Sequence, residues 1–422
     1  MKRDFKYLLI SDSYHPEVRH VAKYLAGIDE EFLYVSGLVF RERKNKGKLG
    51  ILRFRNKYFD FYLKRSISLG KRGRLVTSGK LADFLFFTMY RNVFKLPRSQ
   101  YAFVLNFFRN IWIKAIARKA QSYIEGVPKI IIVLGEWDIS PRENDTLVTI
   151  MFHGDSRLEE FWKEEATRRW PDWSDTWTIA KREEIKLTTC KRVEVHASAF
   201  TANLSRIYSL SENLGSSKII VPIAPVTKNA RDDWYKVYSA PLRRKVLFLG
   251  SWTLRKGLPD LLAAFNMIEI DERPELHIAG SGNLFNPQEV EGFKMGSGVF
   301  LYNSPNSRQV KELFQLADIL ILPSYYEGFG IVILEAMSFG VIPIVSRNTA
   351  GPDIFAQSEL SNFLLNPGDI KAIKEHLVGL NKMSNADLER LGRIAVEITR
   401  DFDFEDYGKS VLLKLGNIGE SP

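Results

Sequence analysis

From residue 240 onward, apolar runs of four or five residues alternate with stretches of helical spacing. Lys245–Leu249 is a short apolar run ending at Gly250, as a buried parallel strand would read. Leu258, Leu261, Leu262, Phe265 and Ile268 then recur at helical spacing, and Pro259 suits the first turn, where its missing N–H does no harm. Leu276–Ala279 predicts a second strand, stopped by Gly280-Ser281-Gly282, and Val299–Tyr302 a third. Ile319–Leu322 is a fourth, stopped by Pro323, and Ile342–Val345 a fifth. Val310–Ala317 and Ile331–Phe339, the latter closed by Gly340, are the helices between them. Strands alternating with helices imply parallel pairing through right-handed crossovers, hence a doubly wound sheet over roughly 240–400.

The N-terminal half alternates in the same way. Tyr7–Ser11, Phe32–Val35, Ile130–Leu134, Val148–Phe152, Val193–Val195 and Lys218–Val221 read as strands. Leu81–Lys95 and Tyr101–Ser122, long, aromatic and basic, read as helices. The polar stretch Thr227–Ala240 falls between the halves and is assigned as linker, and Phe402–Leu415 reads as a terminal helix. The expected organisation is an α/β protein of two doubly wound, Rossmann-like domains. They cover 1–227 and 240–400, and 401–422 forms the last helix.

Length supports this division, since 422 residues suit two domains. One cysteine, Cys190, excludes an internal disulfide framework and fits a reducing compartment. No apolar run approaches the roughly 18 residues needed to cross a bilayer, and Tyr7–Ile10 is too short for a signal-peptide core. A cytoplasmic location is expected. The net charge of +10 is uneven: residues 41–120 hold 21 Lys or Arg against Glu42, Asp60 and Asp83, a balance of +18, leaving −8 for the remainder. That basic segment also carries Phe84, Phe86, Phe87, Tyr90, Phe94, Phe103, Phe107, Phe108 and Trp112. It reads as a surface for peripheral contact with the inner face of an anionic membrane. The alternative is that the aromatics pack under the N-terminal sheet and the charges face water. No nucleic acid partner is expected, because no binding motif accompanies the charge.

The densest chemistry lies in Pro323-Ser324-Tyr325-Tyr326-Glu327-Gly328-Phe329-Gly330-Ile331-Val332-Ile333-Leu334-Glu335-Ala336-Met337. A strand ends, a glycine-bearing loop follows, and a helix opens near Ile331. Ligands bind at this edge of a parallel sheet, and the first free N–H groups of a helix suit a phosphate. Gly328 and Gly330 allow close backbone approach. Glu335 sits in a helix apolar on both faces, where a carboxylate is costly unless bonded. One turn in, it is placed to accept from the two hydroxyls of a ribose, with Glu327 facing the same cavity. The competing reading is an internal pair of Glu335 with an Arg or Lys, and Glu327 as a solvated loop acid.

Glutamates at this separation, with Gly-Phe-Gly between and Ala-Met after, resemble the signature of the retaining GT-B glycosyltransferases of the family 4 type (glycosyl transferases group 1). Phe248-Leu249-Gly250 through Arg255-Lys256-Gly257 resembles that family's strand, loop and helix with a phosphate-binding lysine. His277–Gly282 resembles its Gly-x-Gly turn, and Ala317–Ser324, Gly340–Val345 and Ala350-Gly351-Pro352 continue the likeness. The resemblance implies a GT-B fold, two domains facing a cleft, with a nucleotide-sugar donor bound by the second. It implies Glu335 on the donor ribose, Glu327 near the reacting carbon of the sugar, and Lys256 on the diphosphate. The amides of Gly330, Ile331 and Val332 would help cradle the phosphates, and Gly328, Phe329 and Gly280 would line the donor site. His153, ending the strand Val148–Phe152, would stand near the anomeric centre. Family members often carry an arginine where this chain has Ser251; Arg255 is the substitute, or the cation comes from elsewhere. Ser198 reads as a helix cap or a phosphate contact.

No Asp-x-Asp sits where it would hold a metal-bound diphosphate, so neither a metal nor any other cofactor is expected. The acceptor is expected to be a glycan or a lipid-linked molecule. The run Asp12–His20 lacks the family's paired glycines, so its acceptor side differs; His15 and Arg19 there are either contacts to an acidic acceptor or surface residues. Three rivals remain open: a catalytically inactive nucleotide-sugar-binding scaffold, an epimerase and a phosphorylase of the same architecture.

Overall fold

Four-residue runs such as Ile319–Leu322 are buried at every position, because the strands they form are covered on both faces. The computed structural model describes residues 5–12, 17–37, 40–41, 66–67, 69–81, 85, 98–124, 129–134, 137–151, 156–171, 173, 190–202, 217–223, 243–280, 298–402 and 406–419. In the first half the strands are β1 Tyr7–Ile10, β2 Phe32–Ser36, β3 Phe40–Arg41, β4 Ser66–Ile67, β5 Arg74–Thr77, β6 Ile130–Leu134, β7 Thr146–Met151, β8 Lys191–His196 and β9 Ser217–Ile220. Seven form one sheet in the order β5-β2-β1-β6-β7-β8-β9, and β3 pairs with β4 alone. In the second half, β10 Lys245–Leu249, β11 Glu275–Gly280, β12 Val299–Asn303, β13 Ile319–Leu322, β14 Ile342–Ser346 and β15 Leu364–Leu365 form a sheet ordered β12-β11-β10-β13-β14-β15. Every pairing in both sheets is parallel.

Both orders begin at an inner strand, run outward, then return to its other side. The reversal falls between β1 and β6 in the first sheet and between β10 and β13 in the second. A crevice opens at such a switch point, outside the carboxyl ends of the strands. The helices are α1 Glu17–Gly27, α2 Arg98–Gln121, α3 Ser156–Arg169, α4 Leu258–Asn266, α5 Ser307–Leu316, α6 Val332–Met337, α7 Gly351–Phe355, α8 Ile370–Lys382, α9 Asn385–Thr399 and α10 Tyr407–Gly419.

Side-chain alternation explains how the first sheet is covered. Tyr7 and Leu9 face Val18, Val21 and Leu25 of α1, whereas Leu8 and Ile10 face Trp112 and Ile116 of α2. Trp112 of α2 therefore packs under the sheet, as one of the two sequence readings held, whereas Phe107 of the same helix is exposed. α10 closes the chain against α1: a side chain on Gly408 would meet the His20 carbonyl oxygen at 2.4 Å, so only glycine lets the helices approach this closely. Lys414 Nζ donates to the Ile220 carbonyl at 2.5 Å.

Some expectations shift. β5 lies in the basic segment and escaped the sequence reading. It is an edge strand whose Arg74 is exposed and whose other residues are half-buried, so no apolar run announces it. β15 is too short for a periodic signal. The helix expected over Ile331–Phe339 is a shorter one, Val332–Met337. Most of Leu81–Lys95, and the linker Thr227–Ala240, lie outside the described residues.

Candidate active site

Two loops meet across the switch point of the second sheet. After β10, Leu254–Lys256 makes a single 3-10 turn capped by Gly257 at φ 68°. A side chain on Gly257 would lie 2.1 Å from the Pro323 carbonyl oxygen, so only glycine allows this approach. Tyr325 N donates to the Arg255 carbonyl at 2.8 Å, joining the turn to the loop that follows β13. That loop is pinned on its far side as well. Glu327 N donates to the Asn348 carbonyl at 3.0 Å, Asn348 Nδ2 to the Tyr325 carbonyl at 2.8 Å, and Ala350 N to the Phe329 carbonyl at 2.9 Å.

The turn delivers two cations to one carboxylate. Lys256 Nζ forms an ion pair with Glu327 Oε1, and Arg255 NH1 lies 3.4 Å from the same oxygen. Arg255 NH1 also donates to the Tyr326 carbonyl at 3.1 Å, and Ser324 Oγ donates to Glu327 Oε1 at 3.3 Å. Glu327 is thus a buried, paired acid and not a solvated loop residue. Lys256 stretches past Gly250, where an added side chain would touch its Cε at 3.5 Å. Burial pushes the Lys256 ammonium below the usual lysine range; Glu327 opposes that, and Arg255 adds to it.

Glu335 lies in the first turn of α6, with its backbone N donating to the Ile331 carbonyl at 3.1 Å. Its carboxyl is pushed up by burial alone. Among the described residues no Arg or Lys pairs with it, so the internal ion pair of the competing reading is not found there. Gly330 takes φ 82°, reserved in practice for glycine, and brings the chain into the helix. Gly328, Phe329 and Val332 are buried, whereas Ile331 is 37% exposed.

The remaining candidates are placed less centrally. Ser251 Oγ lies 3.4 Å from Thr253 Oγ1 and bonds to neither Lys256 nor Glu327; Arg255 supplies the second cation. Gly280, at φ 153°, lies against the end of β10, where a side chain would collide with the Gly250 carbonyl at 1.7 Å. His153 falls outside the described residues, as does His15. Arg19 is half-buried on α1, close enough to Tyr34 for its charge to be felt there. Ser198 acts as the expected cap, accepting from Thr201 N at 3.2 Å, and also donates to the Gly328 carbonyl at 3.2 Å in the other half.

Sequence reasoning missed a cluster that joins the halves behind this loop. Asp260 of α4, fully buried, accepts from Trp170 Nε1 at 3.2 Å and from the Tyr325 hydroxyl at 3.1 Å, with Arg169 NH1 at 3.8 Å. Arg169 NH1 also donates to the Gly368 carbonyl at 2.5 Å. Trp162 packs on Tyr325 and Phe200 on Tyr326, with ring centroids 5.9 and 5.8 Å apart. The only hint in the sequence was an aspartate in the first turn of an apolar helix.

Burial pushes Asp260 up to about 6 from its ordinary 3.8, against the opposing bonds from Tyr325 and Trp170 and the charge of Arg169. A carboxyl raised on folding contributes stability that is full below its unfolded value and lost as pH rises through the folded one. The Asp260→Asn variant lacks this dependence. Measured as urea midpoints from pH 4 to 7, it should gain on the wild type by up to about 3 kcal/mol as pH rises. A constant difference would show that Asp260 does not titrate there.

Among the described residues no cluster of three or more His, Cys, Asp or Glu is disposed to hold a metal ion. No described helix is long and apolar enough to cross a membrane.

Comparison with known proteins bears on the same region. Residues 235–395 match the family model described as glycosyl transferases group 1. An uncharacterized glycosyltransferase of Methanocaldococcus jannaschii is 36% identical over 110 residues, 26% of this chain and 28% of that protein. The GDP-mannose:cellobiosyl-diphosphopolyprenol alpha-mannosyltransferase of Xanthomonas campestris is 30% identical over 195 residues, 44% of this chain and 51% of that one. The matches thus span about a quarter to a half of these curated relatives. In fold, the N-terminal domain of Candida albicans trehalose-6-phosphate phosphatase superposes with a TM-score of 0.60 at 12% identity, covering 97% of this chain and 96% of that one. Sucrose-phosphate synthase of Thermosynechococcus elongatus does so at 0.57 and 16%, covering 99% and 100%. With its two parallel sheets, the chain has the GT-B fold.

Proposed function

Because residues 235–395 match the glycosyl transferases group 1 family model, we propose that this chain transfers a sugar from a nucleoside-diphosphate donor to an acceptor hydroxyl, with retention of anomeric configuration. The observation that carries the reading is Glu335, a half-buried carboxylate with no protein partner among the described residues, one turn into a helix at the switch point. Two adjacent ribose hydroxyls would supply the missing donors and repay the desolvation.

In the reaction, the bond from the sugar's anomeric carbon to the β-phosphate oxygen breaks and its electron pair stays on that oxygen. The acceptor oxygen bonds to the carbon from the same face and its proton passes to the departing phosphate. Lys256 and Arg255 stabilise the charge that develops on the diphosphate, as preorganised cations in a water-poor site do. The amides of Gly330, Ile331 and Val332, which donate to no backbone carbonyl among the described residues, add donors at the helix start. Glu327 contacts the transferred sugar. With two cations at the diphosphate, the reaction needs no divalent metal, and the halves close over the cleft to exclude water.

A hexose is the expected cargo. The Xanthomonas campestris relative is named for GDP-mannose and a diphosphopolyprenol acceptor, and an Escherichia coli relative, 30% identical over 138 residues, is an O-antigen chain mannosyltransferase. The test is a thermal-shift screen against UDP, GDP, ADP and their sugars, with and without EDTA, GDP-mannose first. A shift selective for one base and unchanged by EDTA supports the reading by mass action. Binding without release of nucleoside diphosphate in the presence of any acceptor would favour the inactive scaffold.

A lipid-linked acceptor would place the enzyme on the cytoplasmic face of a membrane, and α2 offers a surface for it. This helix has no Asp or Glu. One face presents Phe107 and Ile111, 52% and 45% exposed, beside exposed Lys114 and Arg118. Each cation near anionic headgroups contributes roughly 1 kcal/mol. The Lys114→Glu/Arg118→Glu variant should bind vesicles containing phosphatidylserine at least about tenfold more weakly in a sedimentation assay. Unchanged binding would remove α2 from the reading.

A further inference from the structure

We propose that Arg19, with the hydroxyls beside it, holds an acidic group of the acceptor, a phosphate or a carboxylate. The inference rests on the sugar-transfer reading above and takes up the first of the two roles that the sequence left open for Arg19.

Alternation along the strands brings the groups together. Tyr7 and Leu9 of β1 and Phe32 and Tyr34 of β2 face α1, so Ser11 and Ser36, two residues on, end on the same side. Thr77 of β5, in register with Ser36, lies on that side as well. Four hydroxyls thus cluster at the carboxyl edge of the first sheet, beside the first turn of α1, which carries Arg19. Ser11, Tyr34 and Ser36 are fully buried, whereas Thr77, Asp12 and Arg19 are half-buried and lead out to solvent.

The hydrogen bonds here do not close. Ser11 Oγ donates to the Asp12 carbonyl and so accepts from the Tyr34 hydroxyl at 2.9 Å. Ser36 Oγ, beside the Tyr34 hydroxyl, makes no hydrogen bond of normal geometry. Arg19 NH1 is shielded from solvent and bonds to nothing among the described residues. A buried guanidinium nitrogen without an acceptor is costly, and nearly all buried donors find one. The acids nearby do not dominate the spot. Burial pushes the Tyr34 hydroxyl above its usual range; Ser11, Arg19 and Ser36 oppose this in that order, and Asp12, the weakest influence, adds to it. The charge of Glu17 is felt on the other side, at Tyr407 of α10. The field beside Tyr34 is therefore that of a cation.

A planar guanidinium with a hydroxyl donor next to it recognises oxyanions. The same sheet edge meets the donor loop, since Ser198, which follows β8, donates to the Gly328 carbonyl. β1 and β2 lie three and four strands from β8, roughly 14–19 Å at the usual strand spacing. The acidic group is thus bound apart from the donor loop, where it anchors the acceptor and takes no part in the bond transfer.

The test is calorimetric titration of methyl phosphate and of acetate, at fixed ionic strength, into the wild type, Arg19→Gln and Arg19→Lys, with thermal melting of each protein. The wild type should bind at least one of the two anions, and Arg19→Gln should bind it about tenfold more weakly or worse. Arg19→Lys, which keeps the charge but not the fork, should fall between them. Preference for methyl phosphate assigns a phosphate on the acceptor, and preference for acetate a carboxylate. Binding to the donor cations is common to all three proteins and cancels in the comparison. Arg19→Gln should also melt no lower than the wild type, because NH1 has no protein partner to lose. Equal anion binding in the wild type and Arg19→Gln, or none in the wild type, overturns the inference. A melting temperature several degrees lower in Arg19→Gln overturns it too, since Arg19 would then serve the fold. Anion binding is measured without nucleotide. If methyl phosphate binds at Arg19 but no nucleoside diphosphate or sugar nucleotide binds the wild type, the donor reading falls, and the acceptor role of Arg19 falls with it.

Discussion

Glu335→Gln should weaken binding of the nucleoside diphosphate by about tenfold to a hundredfold. Hydrogen bonds to an ionised group contribute about 1.5–3 kcal/mol each, and 1.4 kcal/mol is a factor of ten. The amide retains one acceptor oxygen but loses the charge and turns two N–H donors toward hydroxyls. The folded protein should not suffer, because the wild-type carboxylate is held there by no partner among the described residues. Burial works against its charge, so the variant's melting temperature without ligand should equal or exceed that of the wild type. Calorimetry and thermal melting on the same samples check both halves. Equal nucleotide affinity in the two proteins would remove Glu335 from the donor site.

Lys256→Met should reduce transfer by a factor of a hundred to a thousand or more, on the scale seen when one preorganised donor is lost from a charge-stabilising site. This substitution also costs stability. Removing one partner of a buried ion pair leaves the other charge uncompensated, which is worth about 3–5 kcal/mol, although Arg255 and Ser324 remain on Glu327 to soften it. The two effects separate in the double variant Lys256→Met/Glu327→Gln. Removing both charges should restore the melting temperature, while transfer falls well below that of Glu327→Gln alone. Transfer equal to that of Glu327→Gln would mean that Lys256 serves the fold and not the diphosphate.

Asp260 links the same loop to the first half of the chain. Tyr325 and Tyr326, the two residues before Glu327, are packed by Trp162 and Phe200, and Gly328 after it accepts from Ser198. The conformation of this loop therefore depends on contacts with residues more than a hundred positions away.

The sequence by itself determined most of the fold in the second half. Lys245–Leu249 and Ile319–Leu322 are strands with the bounds read from the apolar runs, because a strand covered on both faces has to be apolar throughout. Gly330 marked a loop of close backbone approach, and it takes a positive φ that other residues rarely adopt. The spacing of the loop glutamate and the helix glutamate marked the candidate site. Where burial is partial the signal fades: β5, half-exposed at the sheet edge, mixes charge with apolar residues and gives no period. Only the tertiary structure decided which carboxylate is paired and which stands alone. Glu327 meets Lys256 and Arg255 from about seventy residues away, whereas Glu335 meets no cation among the described residues. Asp260 likewise owes its environment to Trp170 and Arg169 in the other half. Local periodicity records what a residue does to its own helix or strand. The protonation and partners of a buried charge depend on what the folded chain brings within about 4 Å of it, and that is set by the packing of the two sheets.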